Sequence, residues 1–130
     1  MIKYYSMQSV EENICTYELG ANGHAGFDEY GRDIVCAAAT ILIVTLANRL
    51  NDINAKALDV QLIPGNLRVS CQAHVSDFRI RDAFEFAELG LDLVSTEHPE
   101  NIEKDNTKRG SRIKNPFMVQ DYRDVLSSPL

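Results

Sequence analysis

At 130 residues, 45% of them hydrophobic, the chain has the length of one domain and enough apolar material to bury a core without disulfides or structural metal. A formal net charge of −6 and a pI near 5.0 argue against a nucleic-acid surface, which needs a basic excess, and suit a basic partner instead. The cysteines Cys15, Cys36 and Cys71 are odd in number and far apart, which fits a reducing, cytoplasmic setting; with no CxxC or zinc-ribbon spacing, neither a metal nor another cofactor is expected.

Met1-Ile2-Lys3-Tyr4-Tyr5 enters a strand-like pattern directly, so no secretory leader is read. Residues 2–7 and 14–19 read as two strands joined by a polar turn at Glu11-Glu12-Asn13, and alternation places Cys15 on one face with Tyr17 and Leu19. A segment punctuated by Gly23, Gly26 and Gly31 then runs into a predicted helix from Asp33 to about Leu50, with Asp33 as N-cap. Its apolar run, residues 34–47, carries Thr40 and Thr45 and stops at Asn48-Arg49, short of the roughly 20 residues that span a bilayer, so it reads as a core helix and no membrane contact is expected.

Residues 57–62 and 67–74 read as a hairpin about Pro64-Gly65-Asn66, with Leu67, Val69, Cys71 and Ala73 on one face. Asp77 caps a second predicted helix reaching about Glu97, with the stripe Ile80, Phe84, Ala87, Leu91, Val94 at helical spacing; Pro99 ends it. Phe86, Leu89 and Leu93 form a neighbouring stripe, and two apolar helices over one small sheet lead us to expect a homodimer. The order ββαββα gives an α+β fold, a small antiparallel or mixed sheet packed with two helices. Residues 1–102 hold 7 basic and 15 acidic side chains, and residues 103–130 hold 6 basic and 4 acidic, so the chain divides into a domain (1–102) and a C-terminal tail (103–130) of opposite charge.

The chemistry is placed where the glycine loop meets the first helix. A cysteine just inside a helix start sits over unpaired N–H groups and the positive end of the helix dipole, both of which lower the cost of a thiolate. Cys36 has that position, and His24, with eleven residues between the two, is its candidate partner. Cys15 and Cys71 read as core residues, and His74 and His98 as surface residues. Asp33 has two readings, as helix cap and as the group that orients His24. Thr40 lies one turn beyond Cys36; its hydroxyl either reaches the thiol or bonds back to the carbonyl of residue 36.

The segment Gly23-His24-Ala25 followed by Gly31-x-Asp33-Ile34-Val35-Cys36-Ala37-Ala38, together with Glu97-x-Pro99-Glu100-Asn101-Ile102, resembles the signature of the ribosomal-processing cysteine protease (Prp) family. The resemblance implies a small homodimeric endopeptidase that removes the N-terminal extension of a bacterial ribosomal large-subunit protein, with the precursor as its peptide substrate. It makes Cys36 the nucleophile, His24 the general base and Asp33 an assisting or structural residue; Thr40 stands where family members usually carry serine. On this reading the helix-start N–H groups form the oxyanion hole. The mobile loop closes over the peptide, with Gly23, Gly26 and Gly31 as its flexible points and Phe27 or Tyr30 as apolar contacts. Glu18, Asp28 and Glu29 favour a basic substrate segment. Two other classes fit the same residues: a non-catalytic peptide- or protein-binding module using loop 23–31 over a merely buried Cys36, and a thiol-redox sensor at Cys36, which would lack an obvious resolving cysteine.

Overall fold

The computed structural model describes residues 1–28 and 33–108. β1 (Ile2–Glu11) and β2 (Ile14–Asn22) form an antiparallel hairpin whose two turn residues, Glu12 and Asn13, both have positive φ (50° and 66°), the conformation that matches strand twist across a two-residue loop. β1 runs four residues beyond its predicted end. Its last residues are exposed and give no alternation signal, but they pair with β2 through Ser9↔Thr16, Val10↔Cys15 and Glu11↔Ile14.

After the loop come α1 (Ile34–Asp52), the hairpin β3 (Lys56–Ile63) and β4 (Asn66–His74), and α2 (Phe78–Glu97). Asp33 and Asp77 cap the two helices, as predicted. The β3–β4 turn is Pro64-Gly65, with Gly65 at φ 79°, where proline presets the first turn residue and glycine accepts the second. The fold is α+β in the predicted ββαββα order, with one addition. β5 (Ile102–Lys104) lies parallel to β1, giving a mixed five-stranded sheet of order β3-β4-β2-β1-β5, and a short 3-10 turn, Asn106–Lys108, follows. Three residues are too few for a period of two to be recognised, and this strand spans the predicted division between residues 102 and 103.

Tyr4, Cys15, Tyr17, Leu19, Val69 and Cys71 are almost fully buried on one face of the sheet, in a single core with both helices. Alternation therefore places Cys15 and Cys71 correctly. From α1, Val35, Ala39, Ile43, Leu46 and Leu50 enter this core at helical spacing; from α2, Ile80, Phe84, Ala87 and Leu91 do the same, and Phe84 stacks on Tyr17 with ring centroids 5.2 Å apart. By length and composition α1 is apolar enough to cross a membrane, but its buried stripe packs on the sheet and on α2. The helices approach closely at Gly90, where a Cβ would lie 2.5 Å from the Leu42 side chain.

The sheet edge is fastened electrostatically. Lys104 Nζ donates to Glu88 Oε1 at 2.7 Å and to Asp92 Oδ1 at 3.2 Å, and the Tyr4 hydroxyl donates to the same Asp92 oxygen at 2.6 Å. Burial, then Asp92, holds the Tyr4 hydroxyl well above the usual phenol range and keeps it a donor. Glu88 is only 6% exposed, so its charge is held beside a compensating cation. Replacing Lys104 by Met should leave Glu88 and Asp92 without that cation and cost about 2 kcal/mol, read as a lower urea midpoint at an unchanged m-value.

Candidate active site

Asp33 ties the start of α1 to the loop in front of it. Its Oδ1 accepts from the N–H groups of Val35 and Cys36, both at 3.0 Å, and its Oδ2 accepts from those of Phe27 at 2.9 Å and Asp28 at 3.4 Å. Burial by itself raises this carboxyl, but the N–H bonds from Cys36, Phe27, Asp28 and Val35 outweigh it and hold Asp33 below the usual carboxylate range. Of its two readings the geometry realises the cap: among the described residues, both oxygens face backbone N–H groups rather than His24.

The loop is docked through successive residues from 23 to 28. Gly23 N–H donates to the Gly65 carbonyl at 2.9 Å, Ala25 N–H to Cys36 Sγ at 3.3 Å, and the Asn101 side-chain amide to the Ala25 carbonyl at 3.1 Å. The His24 carbonyl accepts from the Met1 amino group at 2.6 Å. The mobility predicted from the three glycines is therefore opposed across residues 23–28 by hydrogen bonds that no glycine count reveals. Gly23 and Gly26 do adopt positive φ, 98° and 68°, so their conformational freedom shapes the loop.

Cys36, half-buried, opens onto a groove of about 1060 Å³. One wall is α1, through Cys36, Thr40, Ile41 and Val44; the facing wall is the β3–β4 hairpin tip, through Leu62, Ile63, Pro64 and Leu67; the loop residues Gly23, His24 and Gly26 close one end. The predicted residues His24, Asp33, Cys36, Thr40, Gly23 and Gly26 thus meet on one groove. Its walls are largely apolar, and Ile41 and Ile63, 61% and 51% exposed, are among them.

Other expectations meet a different geometry. His24 makes no hydrogen bond to Cys36; its ring lies against Gly65, where a Cβ would come within 3.0 Å of Nε2. The Thr40 hydroxyl donates to the Cys36 carbonyl at 2.7 Å, the back-bond reading, and not to the thiol. Phe27 does not line the groove but packs edge-on against His98 with ring centroids 5.2 Å apart, so His98 is less peripheral than predicted. Tyr30 and Gly31 lie outside the described residues, as does Glu29. Asp28 borders the groove, whereas Glu18 accepts from the Tyr5 hydroxyl and pairs with Arg68 on the opposite face of the sheet. The N–H groups of Val35 and Cys36 are engaged by Asp33 Oδ1, and that of Ala37 by the Asp33 carbonyl, which removes them from the oxyanion role predicted for the helix start. Ala25, Asn101 and the hairpin wall are given no site role in the sequence reading, although Ala25 and Asn101 stand in the segments that carry the family resemblance and Pro64-Gly65 marks the turn.

The family model described as Cysteine protease Prp matches residues 1–103. The chain belongs to this family. It is accordingly a cysteine protease of the Prp family, and the binding-module and redox-sensor readings give way to an enzyme. A crystal structure of an essential ribosomal processing protease Prp from S. aureus with a covalently linked product peptide is similar at TM-score 0.67 and 22% identity, over 81% of this chain and 98% of that one. The same protease with a substrate peptide gives TM-score 0.63 and 21% identity over the same shares. SMU.848 from Streptococcus mutans gives 0.59 and 26%, over 86% of this chain and 96% of that one. No curated protein matches the sequence.

The Asp33 geometry has a pH signature. Because the carboxyl is depressed in the fold, its stabilisation is complete above the unfolded value of about 3.9 and is lost as pH falls through the folded value. Asp33→Ala should cost about 1–2 kcal/mol at neutral pH and flatten the acid limb of a stability-against-pH profile. Asp33→Asn keeps one acceptor for Val35 and Cys36 but turns an NH₂ toward Phe27 and Asp28, so hydrogen exchange at those two amides should accelerate more than exchange within α1.

Proposed function

We propose that this Prp-family protease removes the N-terminal extension of a bacterial ribosomal large-subunit protein, acting in the cytoplasm on the precursor as an extended peptide. The observation that carries the reading is the position of Cys36: a half-buried thiol opening on an apolar groove, with a backbone N–H 3.3 Å away and an imidazole on the same groove. Cys36 is the nucleophile and His24 the general base. His24 lines the same groove as the thiol without a hydrogen bond to it, and catalytic hydrogen bonds of this kind commonly form only in the complex with substrate. Asp33 holds the loop and the helix start in register, and Thr40 stiffens the first turn of α1 through its bond to the Cys36 carbonyl. Gly23 and Gly26 border the substrate backbone. The S. aureus protease bound to product and substrate peptides supports a peptide ligand here.

Cleavage proceeds in two stages. The Cys36 sulfur attacks the scissile carbonyl carbon while His24 takes up the thiol proton; the C–N bond then breaks, His24 protonates the leaving amine, and water hydrolyses the thioester. Incubation with a ribosomal large-subunit precursor, followed by intact-mass analysis, should show loss of the extension with the parent chain and no cleavage with Cys36→Ala. Retained cleavage by a folded Cys36→Ala chain would remove the nucleophile assignment. Iodoacetamide should label Cys36 first, since Cys15 and Cys71 are buried and burial raises both thiols, that of Cys71 to about 11.

The homodimer expectation is supported by α2, where Phe86 is 77% and Leu93 60% exposed, with Leu89 beside them. Light scattering should give about twice the 14.6 kDa chain mass. Phe86→Glu with Leu93→Glu should halve it; a monomeric parent chain at micromolar concentration would overturn the dimer.

A further inference from the structure

Attack by the Cys36 sulfur on a peptide carbonyl forms a C–S bond and moves the C=O π pair onto oxygen, and that oxyanion needs N–H donors in place beforehand. The donors nearest the nucleophile along its own helix are not free: Val35 and Cys36 N–H go to Asp33 Oδ1 at 3.0 Å and Ala37 N–H to the Asp33 carbonyl at 3.0 Å. Asp33 is nearly buried and held below the usual carboxylate range, so releasing those N–H groups means breaking a cap whose carboxylate accepts four backbone N–H bonds. One backbone donor does point at the reacting atom. Ala25 N–H lies 3.3 Å from Cys36 Sγ, beside the groove that His24 and Gly26 border on either side of it in the chain.

This donor is fixed from both sides. The carbonyl of its own peptide, that of His24, accepts from the Met1 amino group at 2.6 Å, and the next carbonyl, that of Ala25, accepts from the Asn101 side chain at 3.1 Å. Asn101 is itself held at both main-chain groups: its N–H donates to the His98 carbonyl at 3.0 Å and its carbonyl accepts from Ile2 N–H at 2.9 Å, at the mouth of the β1–β5 pair. A side chain so restrained presents its NH₂ to Ala25 with little freedom to lose. Asn101 therefore anchors the loop from a position 76 residues away in sequence.

We propose that the Ala25 N–H is an oxyanion-hole donor, passing from the Cys36 sulfur to the carbonyl oxygen as the tetrahedral intermediate forms, and that Asn101 is the positioning residue that aims it. The proposal rests on Cys36 being the nucleophile. Sulfur hands over the donor at the moment its own negative charge moves to oxygen, so the N–H follows the charge through a short displacement. When the intermediate collapses, the C=O bond re-forms, the C–N bond breaks with its pair leaving on nitrogen, and the His24 imidazolium supplies the proton.

The test replaces Ala25 by its α-hydroxy analogue, lactic acid, which converts the His24–Ala25 amide to an ester, removing that N–H and weakening the His24 carbonyl as an acceptor for Met1; a thermal melt of the ester chain reads the second effect separately. With a peptide spanning the cleavage site, kcat should fall about 100-fold while KM stays within about threefold, and affinity for a peptide aldehyde, which forms a tetrahedral adduct on the thiol, should fall in parallel. Alkylation by iodoacetamide forms no oxyanion and should change by less than about tenfold. An ester chain with kcat within about threefold of the parent overturns the proposal. The Cys36→Ala chain run alongside separates the two readings: if it still cleaves, the nucleophile falls, and if it is inactive while the ester chain is fully active, only the Ala25 assignment falls. Should the ester chain not fold, Asn101→Asp, equal in shape but without the donor, decides. It should lower kcat about 10- to 100-fold and aldehyde affinity with it, at unchanged KM. A change in melting temperature alone, with kcat and aldehyde affinity retained, overturns the role of Asn101.

Discussion

One buried carboxylate organises this molecule's chemistry. Asp33 accepts four backbone N–H groups, two from the helix it precedes and two from the loop it follows, so α1 and residues 27–28 are held to a single charge. An uncapped helix start leaves several N–H groups without partners, and here a carboxylate answers two of them while a second oxygen fastens the loop. The consequence is a division of labour around Cys36. At the helix start the N–H groups of Val35, Cys36 and Ala37 are all engaged by Asp33, and the loop it fastens brings the Ala25 N–H to the Cys36 sulfur.

The sheet decides where that loop goes. β2 pairs with β4 up to Asn22↔Asn66, so the residues following β2 meet the turn preceding β4, and the Gly23 N–H bonds the Gly65 carbonyl. His24 is thereby laid against a glycine that has no Cβ to displace it. The hairpin tip carries Leu62, Ile63 and Pro64 out beyond the core, where they face Ile41 and Val44 of α1 across the groove. These exposed apolar residues are the second wall of a trough, which accounts for their exposure without invoking poor packing.

α1 illustrates how one apolar helix serves several surfaces. Ala39, Ile43, Leu46 and Leu50 are buried in the core, Leu42 fills the space over Gly90 of α2, and Cys36, Ile41 and Val44 are left for the groove. An all-round apolar sequence states that a helix has several apolar neighbours. It does not state which face lines an open groove, because core and groove demand the same side chains.

The sequence by itself determined the helix caps at Asp33 and Asp77, the alternation that buries Cys15 and Cys71, and the ββαββα order, because caps, turns and periodicities act over a few residues and leave their marks there. It also offered Cys36 and His24 as candidates, since a cysteine at a helix start after a glycine loop is a local pattern, and the fold sets both on one groove. Only the tertiary structure decided the remainder. β5 is too short to show a period and exists because Ile102 finds β1, and Phe27 turns to His98 because Asp33 fixes its amide. The Thr40 hydroxyl, offered a thiol and a carbonyl, takes the carbonyl of its own helix. Asn101 and Ala25 meet across 76 residues through a sheet edge, and pairings of that separation are set by strand register and packing, which no stretch of sequence carries on its own.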